Sequence, residues 1–200
     1  MASSLIEAAR VFRRQRARLP YLILMTDERR GGDPVALARR LPRGAGVILR
    51  HDAAPDRPAL AASLARLCRA RGLRFLVARD EALALRHHAG LHLADGMHPP
   101  LRFRLERRRS GALLTMAAHG PAALARARRA GADLALLSPL LPTPSHPGGR
   151  ALGTARFAAL ARRAGVAVAA LGGITAHRVA AARAAGACSV AAIGALGPPR

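Results

Sequence analysis

Residues 166–175 read VAVAALGGIT. Six apolar residues run into Gly172-Gly173, and a helix-like segment, Thr175 to Ala185, follows at once. A buried strand, a glycine turn and a helix start together make an anion site. Glycine lets the backbone come close to a ligand, and the first turn of a helix offers unpaired N–H groups and partial positive charge. A second apolar run, Ser189 to Leu196 (SVAAIGAL), breaks near Gly194. The same features also suit two ordinary strand-to-helix turns, so both readings stand at this point.

The rest of the chain repeats this grammar. Residues 4–18 read as a helix, stopped by Pro20. Short apolar strands are expected at Tyr21–Met25, Gly46–Leu49, Arg74–Ala78, Leu91–Ala94, Ala112–Ala117 and Asp133–Leu137. Helices are expected at Pro34–Leu41, Pro58–Arg71, Glu81–His87, Ala122–Ala130 and Thr154–Arg163. Pro99-Pro100 predicts an irregular connection, and Ser138 to Gly149 a long loop. Unbroken apolar strands are those covered on both faces, as in parallel sheets, and strict alternation with helices marks an α/β fold. Eight such units in a chain of 200 residues predict a small single-domain (β/α)8 TIM barrel at 21–197. An N-terminal helix over residues 1–20 would pack on it, and no helix is expected after strand eight. In such a barrel the loops after strands seven and eight commonly hold a phosphate, and the two glycine turns fall there.

Composition narrows the function. The formal charge is +22, and every Lys-or-Arg position is arginine. That charge favours anionic substrates. A dedicated nucleic-acid partner is not expected. The arginines are scattered over many segments, and 2% aromatic content provides no stacking platform. No apolar run reaches the roughly 18 residues of a membrane span. Cys68 and Cys188 lack metal-type spacing and read as reduced thiols of a cytoplasmic protein.

Gly90-Leu91-His92-Leu93, the loop Ser138-Pro139-Leu140-Leu141-Pro142-Thr143-Pro144-Ser145 and Ala170-Leu171-Gly172-Gly173-Ile174 occur in that order on strands four, six and seven. In this the chain resembles the thiamine-phosphate synthase/TenI family from Tyr21 to Leu196. The resemblance implies a barrel that handles a phosphorylated thiazole. The synthases join a pyrimidine methyl diphosphate to thiazole phosphate with loss of pyrophosphate, using magnesium. TenI-type members move protons on the thiazole without a metal. By that likeness, phosphate would be held by Gly172, Gly173, Ile193 and Gly194. Thr143 and Ser145 match an anion-binding pattern, His146 replaces a lysine, and Arg50 matches an arginine after strand two. His119, after strand five, matches the proton-transfer histidine of the tautomerases; imidazole titrates near neutrality and suits that task.

The departures from the family concern the metal. Ala78-Arg79 replaces an Asn-Asp pair, Ile48 a glutamine and Asp52 a lysine, and a second metal aspartate falls near Met97. Hard cations want several oxygen ligands. No metal residue is therefore assigned, and magnesium would need Asp80 or Asp95 to rebuild its site. Arg79 either replaces the cation's charge toward phosphate or turns to solvent. His92 reads as a lining residue of the barrel interior, and Asp27 as a rim acid or a turn residue. His51, His87, His88 and His98 read as solvated. The expected activity is synthase-like, with a metal-free His119 tautomerase and a lapsed phosphate-ligand binder as alternatives. A homo-oligomer stays open.

Overall fold

The computed structural model describes residues 4–13, 18–30, 32–143, 150–193 and 196. Eight parallel strands close a barrel in sequence order: β1 (Leu22–Met25), β2 (Gly46–Leu49), β3 (Arg74–Ala78), β4 (Gly90–Leu93), β5 (Leu114–Ala118), β6 (Leu134–Leu137), β7 (Ala167–Leu171) and β8 (Ser189–Ala192). The last pairs with the first, Leu22 opposite Val190. The fold is the small single-domain TIM barrel that the repeating pattern predicts.

Period-two geometry explains why both faces of each strand are apolar. One set of side chains, including Ile23, Met25, Ile48, Leu76, Leu134, Leu136 and Ala169, fills the barrel. The alternate set, including Leu24, Val47, Leu49, Val77, Leu91 and Leu137, packs under the helices. Large residues from β1, β2, β3 and β6 share the interior with alanines from β7 and β8.

The helices are α1 (Leu5–Ala9), α2 (Pro34–Arg39), α3 (Arg57–Arg71), α4 (Glu81–Arg86), α5 (Leu101–Ser110), α6 (Pro121–Arg129), α7 (Gly153–Arg163) and α8 (Val179–Ala184). Three differ from expectation. The N-terminal helix is short, ending in one 3-10 turn, Arg10–Phe12; Leu5, Ala9 and Phe12 are buried, and α1 lies against α8. The connection after Pro99-Pro100 is not irregular: it is α5. Its sequence, LRFRLERRRS, buries Phe103 alone and so carries no apolar stripe to read. Glu81 anchors its start by accepting the Phe103 N–H at 2.8 Å. After the glycine pair, a 3-10 turn, Ala176–Arg178, comes before α8, so no long helix begins at the turn.

Among the described residues, no helix is long and apolar enough to cross a membrane.

Candidate functional site at the barrel mouth

Parallel strands bring every strand C-terminus to one end of the barrel, where loops from distant parts of the sequence meet. Asp27, Arg50, Asp52, Arg79, Asp80 and Asp95 follow β1 to β4 there, and His119, Thr143, Gly172, Gly173 and Ile193 follow β5 to β8. The mouth thus has two halves, one of arginine–aspartate pairs and one of histidine, hydroxyl and glycine.

In the first half, Asp27 is nearly buried and holds two guanidiniums, those of Arg30 (2.9 Å) and Arg50. Burial alone would raise its pKa. The hydrogen bonds from the Arg30 side chain and the Arg29 N–H, with the charges of Arg30 and Arg50, outweigh burial and hold it below the usual carboxylate range. It is a rim acid that fixes arginines. The Thr26 hydroxyl accepts the Arg50 N–H at 3.0 Å and shares a 2.9 Å hydrogen bond with His51 Nδ1. His51 is therefore buried, contrary to the solvated reading; its polar neighbours in sequence conceal a partner 25 residues away.

Arg79 adopts a left-handed backbone, φ +60°, and its side chain pairs with Asp52 at 3.0 Å while remaining half exposed. Arg57, starting α3, is shared between Asp52 (3.3 Å) and Asp80 (3.1 Å) and donates to the Ala78 carbonyl. Beneath them, His92 points into the barrel and bonds Thr115 Oγ1 through Nδ1 at 2.9 Å. Its pKa is lowered to about 3 by burial, reinforced by the charges of Arg50 and Arg79. His92 is thus a neutral structural imidazole.

The carboxylates that could rebuild a magnesium site do not fit that task. Asp80 caps α4 through the Leu83 N–H (2.9 Å) and spends its other oxygen on Arg57. One oxygen of Asp95 takes both Nε (3.2 Å) and Nη2 (2.6 Å) of Arg126. Among the described residues, no three His, Cys, Asp or Glu side chains gather as a metal group.

In the second half, His119 is exposed at the end of β5, its Nδ1 lying 3.1 Å from the Ser138 carbonyl oxygen and 3.3 Å from the Ser138 hydroxyl. Donation to the carbonyl places the proton on Nδ1 and orients the ring. The glycine pair has a packing reason of its own. A Cβ on Gly172 (φ +93°) would sit 2.8 Å from Pro139 Cβ, and one on Gly173 (φ +67°) 2.7 Å from the Pro142 oxygen. Leu140 and Leu141 donate to the carbonyls of Leu171 and Gly172, at 2.8 and 3.2 Å. The loops after β6 and β7 are thus zipped together by glycine. Thr143 closes the described part of the β6 loop; Ser145, His146 and Gly194 lie outside the described residues.

Eight parallel strands closed in sequence order, with helices between them, define a class, the small single-domain (β/α)8 barrels. Comparison gives the family. The thiamine monophosphate synthase family model matches residues 21–196, and the chain belongs to that family. A protein of Geobacter sulfurreducens named "Putative thiamine-phosphate synthase" is 35% identical over 184 residues, 88% of this chain and 85% of the relative. The solved thiamine phosphate pyrophosphorylase of Pyrococcus furiosus superposes with a TM-score of 0.71 at 21% identity, over 88% of this chain and 86% of that one. FabK of Thermotoga maritima shares the fold more loosely, with a TM-score of 0.65 at 18% identity, over 87% of this chain and 58% of its own.

Proposed function

We propose that the chain is a thiamine-phosphate synthase-like enzyme, joining hydroxymethylpyrimidine diphosphate to thiazole phosphate at the barrel mouth. What supports the reading is that Arg50, Thr143, Gly172, Gly173 and Ile193, the described positions matched to the family's anion contacts, all follow strand C-termini, as does Arg79, which stands where the family has a metal aspartate. In the reaction, the carbon–oxygen bond to diphosphate breaks and its electron pair leaves with pyrophosphate. The thiazole nitrogen lone pair forms the new carbon–nitrogen bond. The loops at Gly172-Gly173 and Ile193 would hold the thiazole phosphate. Arg50 and Arg79 would meet the diphosphate charge, exchanging Asp27 and Asp52 for phosphate oxygens. Arginine is suited to this by its permanent charge and its fork of donors.

A second reading is favoured by the commitment of Asp80 and Asp95 to arginines. In it, the chain is a metal-free thiazole tautomerase. His119 takes a proton from one carbon of the bound thiazole and returns it to another, finishing unchanged.

Purified protein supplied with both substrates, with and without magnesium, separates the readings. Formation of thiamine phosphate and pyrophosphate supports the synthase. Thiazole phosphate binding without product sinks it. Proton exchange on the thiazole that disappears in His119→Ala then identifies the tautomerase. Binding with neither reaction leaves a phosphate-ligand binder.

A further inference from the structure

The opposite end of the barrel carries a cavity of about 700 Å³ that the proposed chemistry does not use. Arg18, Arg74, Arg104, Arg107, Arg108 and Arg129 line it, from the chain before β1, the start of β3, α5 and α6. Scattered in sequence, these arginines are gathered by the fold. Among the described residues the one carboxylate lining the cavity, Asp133, is occupied by Arg107 and by the Leu114 N–H (2.7 Å). Arg107 is held further by the carbonyls of Ala112 (3.2 Å) and Gly131 (2.9 Å), which makes it a fixed cationic centre. The other five guanidiniums make no hydrogen bond or ion pair with any described residue.

Arginines at helix C-termini are ordinary, because they offset the partial negative charge there. That accounts for Arg107, Arg108 and Arg129, which stand in the last turns of α5 and α6. It does not account for Arg18, Arg74 or Arg104. Cations crowded around one concavity repel, and a multivalent anion removes the repulsion while using the guanidinium forks. The cavity is of ordinary small-ligand size. We infer that this end of the barrel binds a small polyphosphorylated anion, with a di- or triphosphate group seated among Arg74, Arg104, Arg107 and Arg108. The site is separate from the mouth, so its fate does not depend on which reaction the mouth performs.

Intact protein is titrated calorimetrically with inorganic tripolyphosphate at physiological ionic strength. The expected result is a binding event weakened at least about tenfold in Arg104→Gln/Arg108→Gln, the scale of losing one or two charge-assisted hydrogen bonds. The same event should persist in Arg50→Gln at the mouth. Both substituted α5 side chains are exposed, and matched thermal unfolding confirms that the variant folds. Arg74→Gln gives an independent second reading of the same cavity. No binding overturns the inference. So does binding that is lost in Arg50→Gln and kept in the α5 variant, or displacement by sulfate at equal charge. Tight binding of single-stranded RNA that tripolyphosphate fails to displace overturns it too, in favour of a nucleic-acid surface.

Discussion

Acidification should loosen this protein through one imidazole. His92 is buried inside the barrel against Thr115, and its pKa is drawn from 6.5 to about 3 by burial and by Arg50 and Arg79. The folded chain refuses a proton that the unfolded chain accepts near 6.5. Stability is therefore untouched by this group above 6.5 and falls as pH drops through 6.5 toward about 3. At about pH 4.5 the unfolded imidazole is roughly 100:1 protonated while folded His92 is almost all neutral. Two units at about 1.36 kcal/mol each give a loss of about 2.7 kcal/mol. A folded pKa anywhere below about 4 gives nearly the same figure. For a chain of this size the corresponding fall in Tm is about 5 to 10 °C. The assay is urea unfolding at about pH 7.5 and about pH 4.5 for wild type and His92→Gln, whose amide can still bond Thr115 but does not titrate. The carboxylates and the other histidines are present in both proteins and cancel. They include His87, whose pKa is also lowered, by burial first. Wild type should lose about 2.7 kcal/mol more than the variant on acidification. A wild-type-minus-variant difference that stays flat across this range refutes the reasoning.

Gly172→Ala puts a methyl 2.8 Å from Pro139 Cβ at φ +93°, and should cost about 1–3 kcal/mol in thermal unfolding. Asp52→Asn releases Arg79 from its ion pair and should tighten pyrophosphate binding by up to about fivefold in calorimetry, the range of a half-exposed pair. Cys68 is buried, and burial pushes its thiol pKa to about 12, so it should resist alkylation in the native protein and react once urea unfolds it.

Much of the barrel was legible because its strands are short apolar runs buried on both faces, as at Leu22–Met25 and Leu134–Leu137. α5 was not, because a helix that buries only Phe103 shows no period. The mouth was legible in part. Matching motifs point to His119 and the glycine turns, but not to what holds them. Asp27, Asp52, Asp80 and Asp95 each come within a few residues of the end of one of the first four strands, a regularity visible in the sequence. Their arginine partners were not visible, since Arg50 reaches Asp27 and Arg57 reaches Asp80 across 23 residues each. Such pairs exist only once neighbouring loops are aligned by the barrel. The glycine pair teaches a different lesson. A phosphate loop and a tight interloop contact ask for the same residue, so sequence alone leaves the two demands superimposed at Gly172 and Gly173.

The two ends of the barrel differ in electrical character. Aspartates at the mouth are paired with arginines, while helix after helix ends in arginine at the other face, Arg39, Arg71, Arg86, Arg109, Arg163 and Arg183 among them. Positive charge is therefore less compensated by carboxylates at the base than at the mouth, and the molecule should not approach a negatively charged surface at random. On an anionic bead or polymer it should land base first and leave the mouth facing the solution. Captured that way, the protein keeps its barrel mouth open without any engineered tether.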